Sequence, residues 1–245
     1  VRFGWGERPP AIAEVIRAQG ADAVTLMEAT KRSEVEWLAR ELGMDCFYGD
    51  GNHEWSVVWL SRLPIVRAAN YPLAPLFHTL AEIEIQWDGR PLRLFGTHLR
   101  SFGPQSRIGV EARRRTAEAQ AILEVLRDVG DQPHLLAGDF NSARPRETVA
   151  WREPLHPWLD RIHHIPYARR PPHTIVDAGY ADCYRTLHLR GPGYTFRTDL
   201  PWERIDFIFA SPSLAPHLTA CDVATAGPIT EASDHFPVWA TFRKD

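Results

Sequence analysis

The sequence predicts one α/β domain in which two β-sheets pack face to face with helices outside them. Three observations carry this expectation. The 245 residues are enough for one large core. Apolar runs of strand length recur between segments of helical periodicity along the whole chain. Gly/Asp/Asn and Asp-Gly turn signals join several of the runs as neighbours.

Taken in order, Pro9 to Gly20 begins with prolines, carries Ile12, Val15 and Ile16 at helical spacing and closes on glycine, which predicts a helix. Ala21 to Met27 reads as a buried strand delivering Glu28 at its carboxyl end. Lys31 to Leu42 is a second helix, stopped by Gly43. Met44 to Tyr48 and Trp55 to Ser61 are strands on either side of a Gly49–Asn52 turn. Ile65 to Tyr71 follows, then Thr79 to Trp87, where Leu80, Ile83 and Ile85 stand against Glu82, Glu84 and Gln86. Asp88-Gly89 is a hairpin signal, and Leu92 to Thr97 returns as the partner strand, delivering His98. A Gly/Ser/Pro loop leads to a long helix over about Gly109–Val129.

Pro133 to Ala137 is an apolar strand that stops at Gly138 and presents Asp139 and Asn141 two residues apart. In an extended segment alternate side chains share a face, so this carboxylate and amide point together. The pair suits a site that handles a metal-bound phosphate and its attacking water. A plain Asp/Asn turn is the competing reading. Residues 143–203 are irregular and rich in Pro, His, Arg and Trp, with one helical piece near Thr174–Ala178. So long an excursion is usually functional, and Trp151, Trp158 and Trp202 could line a site. Strands resume over Arg204–Ala210, Thr219–Ala224 and Pro237–Phe242.

Composition excludes several classes. The hydrophobic fraction of 44% and charged fraction of 24% are those of a globular protein. With 28 basic and 31 acidic residues the net charge is −3, so no global basic field calls for nucleic acid. Cys46, Cys183 and Cys221 form neither a disulfide framework nor a zinc motif. They fit a reducing, cytoplasmic setting. No apolar run is long enough for a membrane span. The expected state is a monomer with no obligate protein partner.

Five strand ends carry polar residues: Glu28, His98, Asp139 with Asn141, Asp206, and Asp234 with His235. A lone Glu there is ordinarily a solvated turn residue, and a lone His a satisfied structural one. Asp206 differs because it interrupts the apolar run Ile205-Asp206-Phe207-Ile208-Phe209. A carboxylate buried there needs a partner, and His235 in Ser233-Asp234-His235 is the natural candidate.

In series, Leu26-Met27-Glu28, Gly96-Thr97-His98-Leu99, Gly138-Asp139-Phe140-Asn141, Arg204-Ile205-Asp206-Phe207-Ile208-Phe209 and Ser233-Asp234-His235-Phe236-Pro237 resemble the endonuclease/exonuclease/phosphatase superfamily. The match runs from about residue 9 to 242. The resemblance implies a four-layer α/β/β/α sandwich of two packed mixed, largely antiparallel sheets, with the site at one end of both. It implies Mg2+ or Mn2+ held by Glu28 with help from Asp234, polarising a phosphoryl oxygen. It also implies that Asp206 orients His235, that Asp139 aligns or deprotonates the attacking water, that Asn141 donates to the phosphate or nucleophile, and that His98 serves a phosphoryl oxygen or the leaving group. Whether Asp139 or His235 is the formal base stays open.

The family pattern also has a first strand ending in an Asn at the site, which would lie immediately before Val1. The expected organisation is therefore a single domain over residues 1–245 with that strand outside the sequence. Nuclease members carry a further carboxylate for which Glu54 is the candidate.

The family fixes phosphoester hydrolysis but not the substrate. Arg100, Arg107 and the trio Arg113-Arg114-Arg115 could bind a polyanion, or the trio could lie on a solvated helix face. Arg185, Arg190, Arg197 and Arg204 sit in the later loops, Arg204 being as readily structural. Thr195 and Trp202 fall where family members line the substrate cleft, and aromatic residues there could stack on a base or an aryl group. A phosphodiesterase or nuclease is expected, with nucleic acid among the candidate substrates. A phosphomonoesterase acting on a small or lipid-like phosphate is the alternative. A catalytically silent binding module is the alternative of another class, and the completeness of the motif set argues against it.

Overall fold

The computed structural model describes residues 8–53, 55–101, 108–144 and 170–244. Its backbone is a six-stranded mixed sheet facing a second layer that is divided in two. The large sheet contains β4 (Ile65–Tyr71), β5 (Leu80–Trp87), β6 (Arg90–His98), β7 (His134–Asp139), β8 (Ala181–Asp182) and β9 (Asp206–Ala210), in the order β4-β5-β6-β7-β9-β8. Only β6 and β7 run parallel, joined by the long helix α3 (Ile108–Arg127). Such a pair needs a crossover of this kind. The facing layer consists of β1 (Ala23–Ala29), β3 (Ser56–Ser61) and β2 (Asp45–Gly49) in that order, and separately β10 (Leu218–Val223) with β11 (Val238–Phe242).

Helices α1 (Arg8–Gln19) and α2 (Arg32–Leu42) cover the divided layer. A core of Ala13, Ile16, Val35, Leu38, Val58 and Leu60 fills that interface. Helices α3 and α4 (Arg170–Asp177) cover the large sheet over Phe95, Ile122, Leu136, Phe140, Ile175 and Phe207. A third core, with Val57, Trp59, Ile83, Leu94 and Ala137, lies between the sheets. These are the four layers of the sandwich. Short helices α5 (Cys183–Leu187) and α6 (Ile229–Ala232) complete the described elements.

The strands follow the sequence pattern closely, with one difference that matters. The first strand starts two residues later than expected and runs on through Glu28, and β7 likewise includes Asp139. Asp139 is therefore paired on both sides within its ladder, whereas Glu28 falls where the pairing of β1 is interrupted. Elements β8, α5 and α6 carry no periodic signal because they are two to five residues long. The second layer departs from a continuous sheet. Among the described residues, the outer edge of β1 and the outer edge of β11 carry no strand. Between them lies a slot of about 620 Å³, walled by Ala23–Glu28 and Val238–Phe242, roofed by Ile12, Val15 and Ile16 of α1 and floored by Leu94, Leu135 and Ile208.

Candidate active site

The large sheet's register aligns three polar side chains in one row across adjacent strands. His98 stands opposite Asp139 on the parallel pair β6 and β7, and Asp139 stands opposite Asp206 on the antiparallel pair β7 and β9. The ladder continues past this row, since Leu99 N–H donates to Asp139 O (2.9 Å) and Phe140 N–H to Ile205 O (2.9 Å). The glycines of the motifs permit the close approach. A Cβ on Gly138 would run into the Thr97 carbonyl, and one on Gly96 would come within 2.6 Å of Thr25 Oγ1 on the facing layer. Any side chain there would push the strands or the sheets apart.

Two non-glycine residues at the site hold left-handed backbone, Glu28 (φ 58°) and Asn141 (φ 46°). Residues with a Cβ rarely sit there, so the surrounding structure must hold them. Glu28 lies in the register shift between Leu26 and Ala29, a bulge that re-aims the carboxylate toward the row. At Asn141 the strand has already ended. Its N–H donates to Asp139 Oδ1 (2.7 Å), a turn held by the aspartate itself. The carboxylate and the amide thus converge through this turn, and the strand alternation expected from the sequence is not what brings them together.

The Asn141 amide is oriented by its surroundings. Nδ2 donates one hydrogen to Leu99 O (2.9 Å) and points the other at His98 Nε2 (3.0 Å). Because a carbonyl can only accept, the amide cannot be reversed, and His98 Nε2 receives the second hydrogen. His98 Nε2 is also 3.5 Å from Asp139 Oδ2 and 3.9 Å from Glu28 Oε1. Burial lowers the His98 pKa well below its usual value, with the neighbouring His78 adding to the effect. The ring is neutral.

His235 closes the row. Its Nδ1 is 2.9 Å from Asp206 Oδ2, the partner that this half-buried aspartate in an apolar run requires. Burial works against the charge on His235, but the Asp206 carboxylate and its hydrogen bond outweigh it and raise the pKa to about 10. His235 is therefore an imidazolium at neutral pH, with Nδ1 committed to Asp206. Asp139 moves the other way. Burial, then the charge on Asp206, pushes its carboxyl upward. Glu28 rises to about 7, chiefly by burial, with Asp234 adding like charge.

The model of the Endonuclease/Exonuclease/phosphatase family matches residues 1–235. The chain belongs to that family. Solved structures agree in fold. An AP endonuclease from Archaeoglobus fulgidus superimposes with a TM-score of 0.77 at 19% identity, covering 98% of this chain and 95% of that one. A 3' phosphatase, NExo, from Neisseria bound to product DNA hairpin gives 0.75 at 19%, covering 98% and 96%. TDP2 from D. rerio complexed with single strand DNA product gives 0.68 at 18%, covering 97% and 92%. No curated protein matches the sequence. The family is one of phosphoester hydrolases, generally dependent on a divalent metal.

The donor set suits such a cation. Glu28, Asp139, Asp206 and Asp234 all line one end of the cavity. The upward shifts of Glu28 and Asp139 record how poorly buried carboxylates tolerate ionisation there without added positive charge. One ligand atom each of Asp139, Asp206 and His235 lie within 4.8 Å of one another. Within that trio Asp206 and His235 already hold each other through Oδ2 and Nδ1.

The rim residues expected from the sequence are placed differently from the row. Thr195 is fully buried, and its Oγ1 accepts from Ile205 N–H (3.0 Å) and Asp206 N–H (3.1 Å). It fixes the backbone under Asp206 and has no face toward a substrate. Trp202 lies tilted against Phe196 (6.0 Å), which in turn lies 4.8 Å from His235, so Trp202 meets His235 through Phe196. Arg100 lies over Phe77 (4.1 Å), with Nε 3.6 Å from Glu111 Oε2. Of the arginine trio, Arg113 and Arg114 are exposed and Arg115 is wholly buried. Arg204 is structural: with Arg144 it grips the buried Asp182 (2.7 and 2.8 Å), tying the segment after Asn141 to the start of β9. Glu54, Arg107, Trp151 and Trp158 lie outside the described residues.

Sequence reasoning passed over His78 and Glu118, both buried beside the row. A signal existed for Glu118, because it falls within the apolar stripe of α3 formed by Ala112, Ala119, Ile122 and Leu126. His78 offered only a lone imidazole before a strand.

Proposed function

We propose that this protein is a divalent-metal-dependent phosphodiesterase of the nuclease type, cleaving a P–O bond by in-line attack of water. The observation that carries the reading is the row His98–Asp139–Asp206 with His235 bound to its end. Mg2+ or Mn2+, held by Glu28 and Asp234, would supply Lewis-acid polarisation of a phosphoryl oxygen and offset charge on the leaving oxygen.

The side chains divide the remaining work. Asp139 aligns the water and accepts its proton, and its upward-shifted pKa brings it toward the range where proton transfer at neutral pH is efficient. The His235 imidazolium, oriented by Asp206, presents positive charge to the phosphate. Asn141 keeps His98 and the Asp139 turn in register. His98, neutral and enclosed, lies on the leaving-group side. Catalysis is then mainly positioning and charge stabilisation. Arg100 acts from the rim on the rest of the substrate.

The test is an assay on an aryl phosphodiester and the matching monoester, with Mg2+, Mn2+ and EDTA arms and an Asp139→Ala control. Metal-dependent diester cleavage that disappears in the variant is expected. Preference for the monoester would make the protein a phosphatase, and activity untouched by Asp139→Ala would overturn the mechanism.

A further inference from the structure

His98 is held from a direction that the catalytic row does not account for. The His78 ring stacks on it with centroids 4.3 Å apart and planes 10° apart. Trp55 is nearly parallel to both, 5.5 Å from His78 and 6.2 Å from His98. Parallel rings stack no closer than about 3.4 Å between planes, the thickness of an aromatic ring in van der Waals contact. If Trp55 and His98 lay on opposite faces of His78 they would be about 6.8 Å apart or more by the same contact distance. At 6.2 Å they share one face. His78 is thus a floor on which the catalytic imidazole and the cleft-lining Trp55 lie side by side, and it is itself only 1% exposed. Burial lowers its pKa to about 4, so it brings no charge to that contact.

The floor is anchored by three successive backbone groups. Phe77 N–H donates to Glu118 Oε1 (2.8 Å), His78 O accepts from Asn52 N–H (3.2 Å), and Thr79 O accepts from Thr97 Oγ1 (3.1 Å). Glu118, on α3, uses its other oxygen to accept from Arg100 N–H (3.1 Å). One buried carboxylate therefore spans the residue before His78 and the residue two after His98. It fixes the separation of the two backbones that carry the stack.

We propose that His78 and Glu118 are positioning residues for His98, the first fixing the tilt of its ring and the second the spacing of the strands beneath the two histidines. This rests on the catalytic reading of His98 for its kinetic consequence, but the geometry is testable without it. Asn141 grips the edge of the His98 ring at Nε2, and His78 grips its face. Together they leave the ring one orientation, with Nε2 turned to Asp139 and Glu28. Stacking needs a flat ring and no particular heteroatom, so a phenyl group should serve where an aliphatic side chain should not.

The experiment compares His78→Phe, His78→Leu and Glu118→Gln by steady-state kinetics on the aryl phosphodiester and by NMR of the His98 ring protons. His78→Phe should stay within about threefold of the parent kcat, and His78→Leu should lose about ten- to a hundredfold in kcat at unchanged KM. Glu118→Gln, which keeps one acceptor oxygen, should lose several-fold in the same parameter. In the spectra, the His98 resonances should hold their positions in His78→Phe and shift or broaden in His78→Leu. Full activity with an unmoved His98 signal in His78→Leu would overturn the proposal, and so would a His78→Phe variant as impaired as His78→Leu. Should His78→Leu not fold, an unchanged kcat in Glu118→Gln would overturn it equally. If the parent shows no diester cleavage the catalytic reading fails, and the His98 resonances still decide the positioning.

Discussion

The two faces of the site are built in opposite ways. On the large sheet, His98, Asp139 and Asp206 occupy paired positions of a continuous ladder, and their backbones are fixed on both sides by neighbouring strands. On the divided layer, Glu28 depends on a bulge with left-handed backbone in β1, and Asp234 precedes β11; among the described residues both strands end their sheets. The first arrangement gives fixed geometry to the groups that the proposed mechanism brings to water and phosphorus. The second leaves the carboxylates that would hold a cation on a support that can adjust. If this contrast is right, changes on the large sheet should act on kcat, and changes on the divided layer on metal affinity.

The largest effect is expected from Asp139→Ala, about a thousandfold loss in kcat with KM within a few-fold, read from initial rates at saturating metal. A loss expressed mainly in metal affinity would break the comparison. Asp206→Asn should lower kcat about a hundredfold. It should also return the His235 pKa toward 6.5 from about 10, followed by NMR titration of the imidazole. The sign follows from linkage: a raised histidine pKa stabilises the fold fully below pH 6.5, and that contribution is lost as pH rises through about 10. The variant should show no such alkaline loss.

Glu28→Gln should raise the metal concentration for half-maximal rate about tenfold while lowering kcat less than either change above. A smaller, physical effect concerns stability without metal. Glu28 rises from 4.5 to about 7 on folding, so its contribution is favourable below pH 4.5 and declines as pH rises through about 7. The decline amounts to roughly 3 kcal/mol, or several degrees in Tm. Thermal unfolding in EDTA should therefore give a higher Tm at pH 5 than at pH 8, and Mg2+ at pH 8 should recover much of the difference. Equal midpoints, or no recovery, would show that these carboxylates are not waiting on a cation. Least affected should be Trp202→Ala, within a few-fold in KM, since the indole stands behind Phe196.

Much of the fold was legible from the sequence because burial imposes a period. The hairpin of β5 and β6 shows it best: Ile83 and Ile85 alternate with Glu84 and Gln86, and the Asp88-Gly89 turn fixes the register. The Asp206–His235 pair was legible for a related reason, since a carboxylate inside an apolar run must find a partner. The inward turn of Thr195 was not legible because sequence proximity to a motif does not say which face of the chain a side chain takes. Thr195 turns inward to satisfy two backbone amides.

By itself, then, the sequence determined the strands, the outer helices and the identities of the polar residues at their ends, all properties of local period and chemistry. Only the tertiary structure decided that His98, Asp139 and Asp206 form one row, that a left-handed turn brings Asn141 onto His98, and that His78 and Glu118 brace it from behind. Those contacts join residues 20 to 67 positions apart at the range of hydrogen bonds and ring stacking. Pairing of strands across the sheet sets such distances, and no window of the sequence contains them.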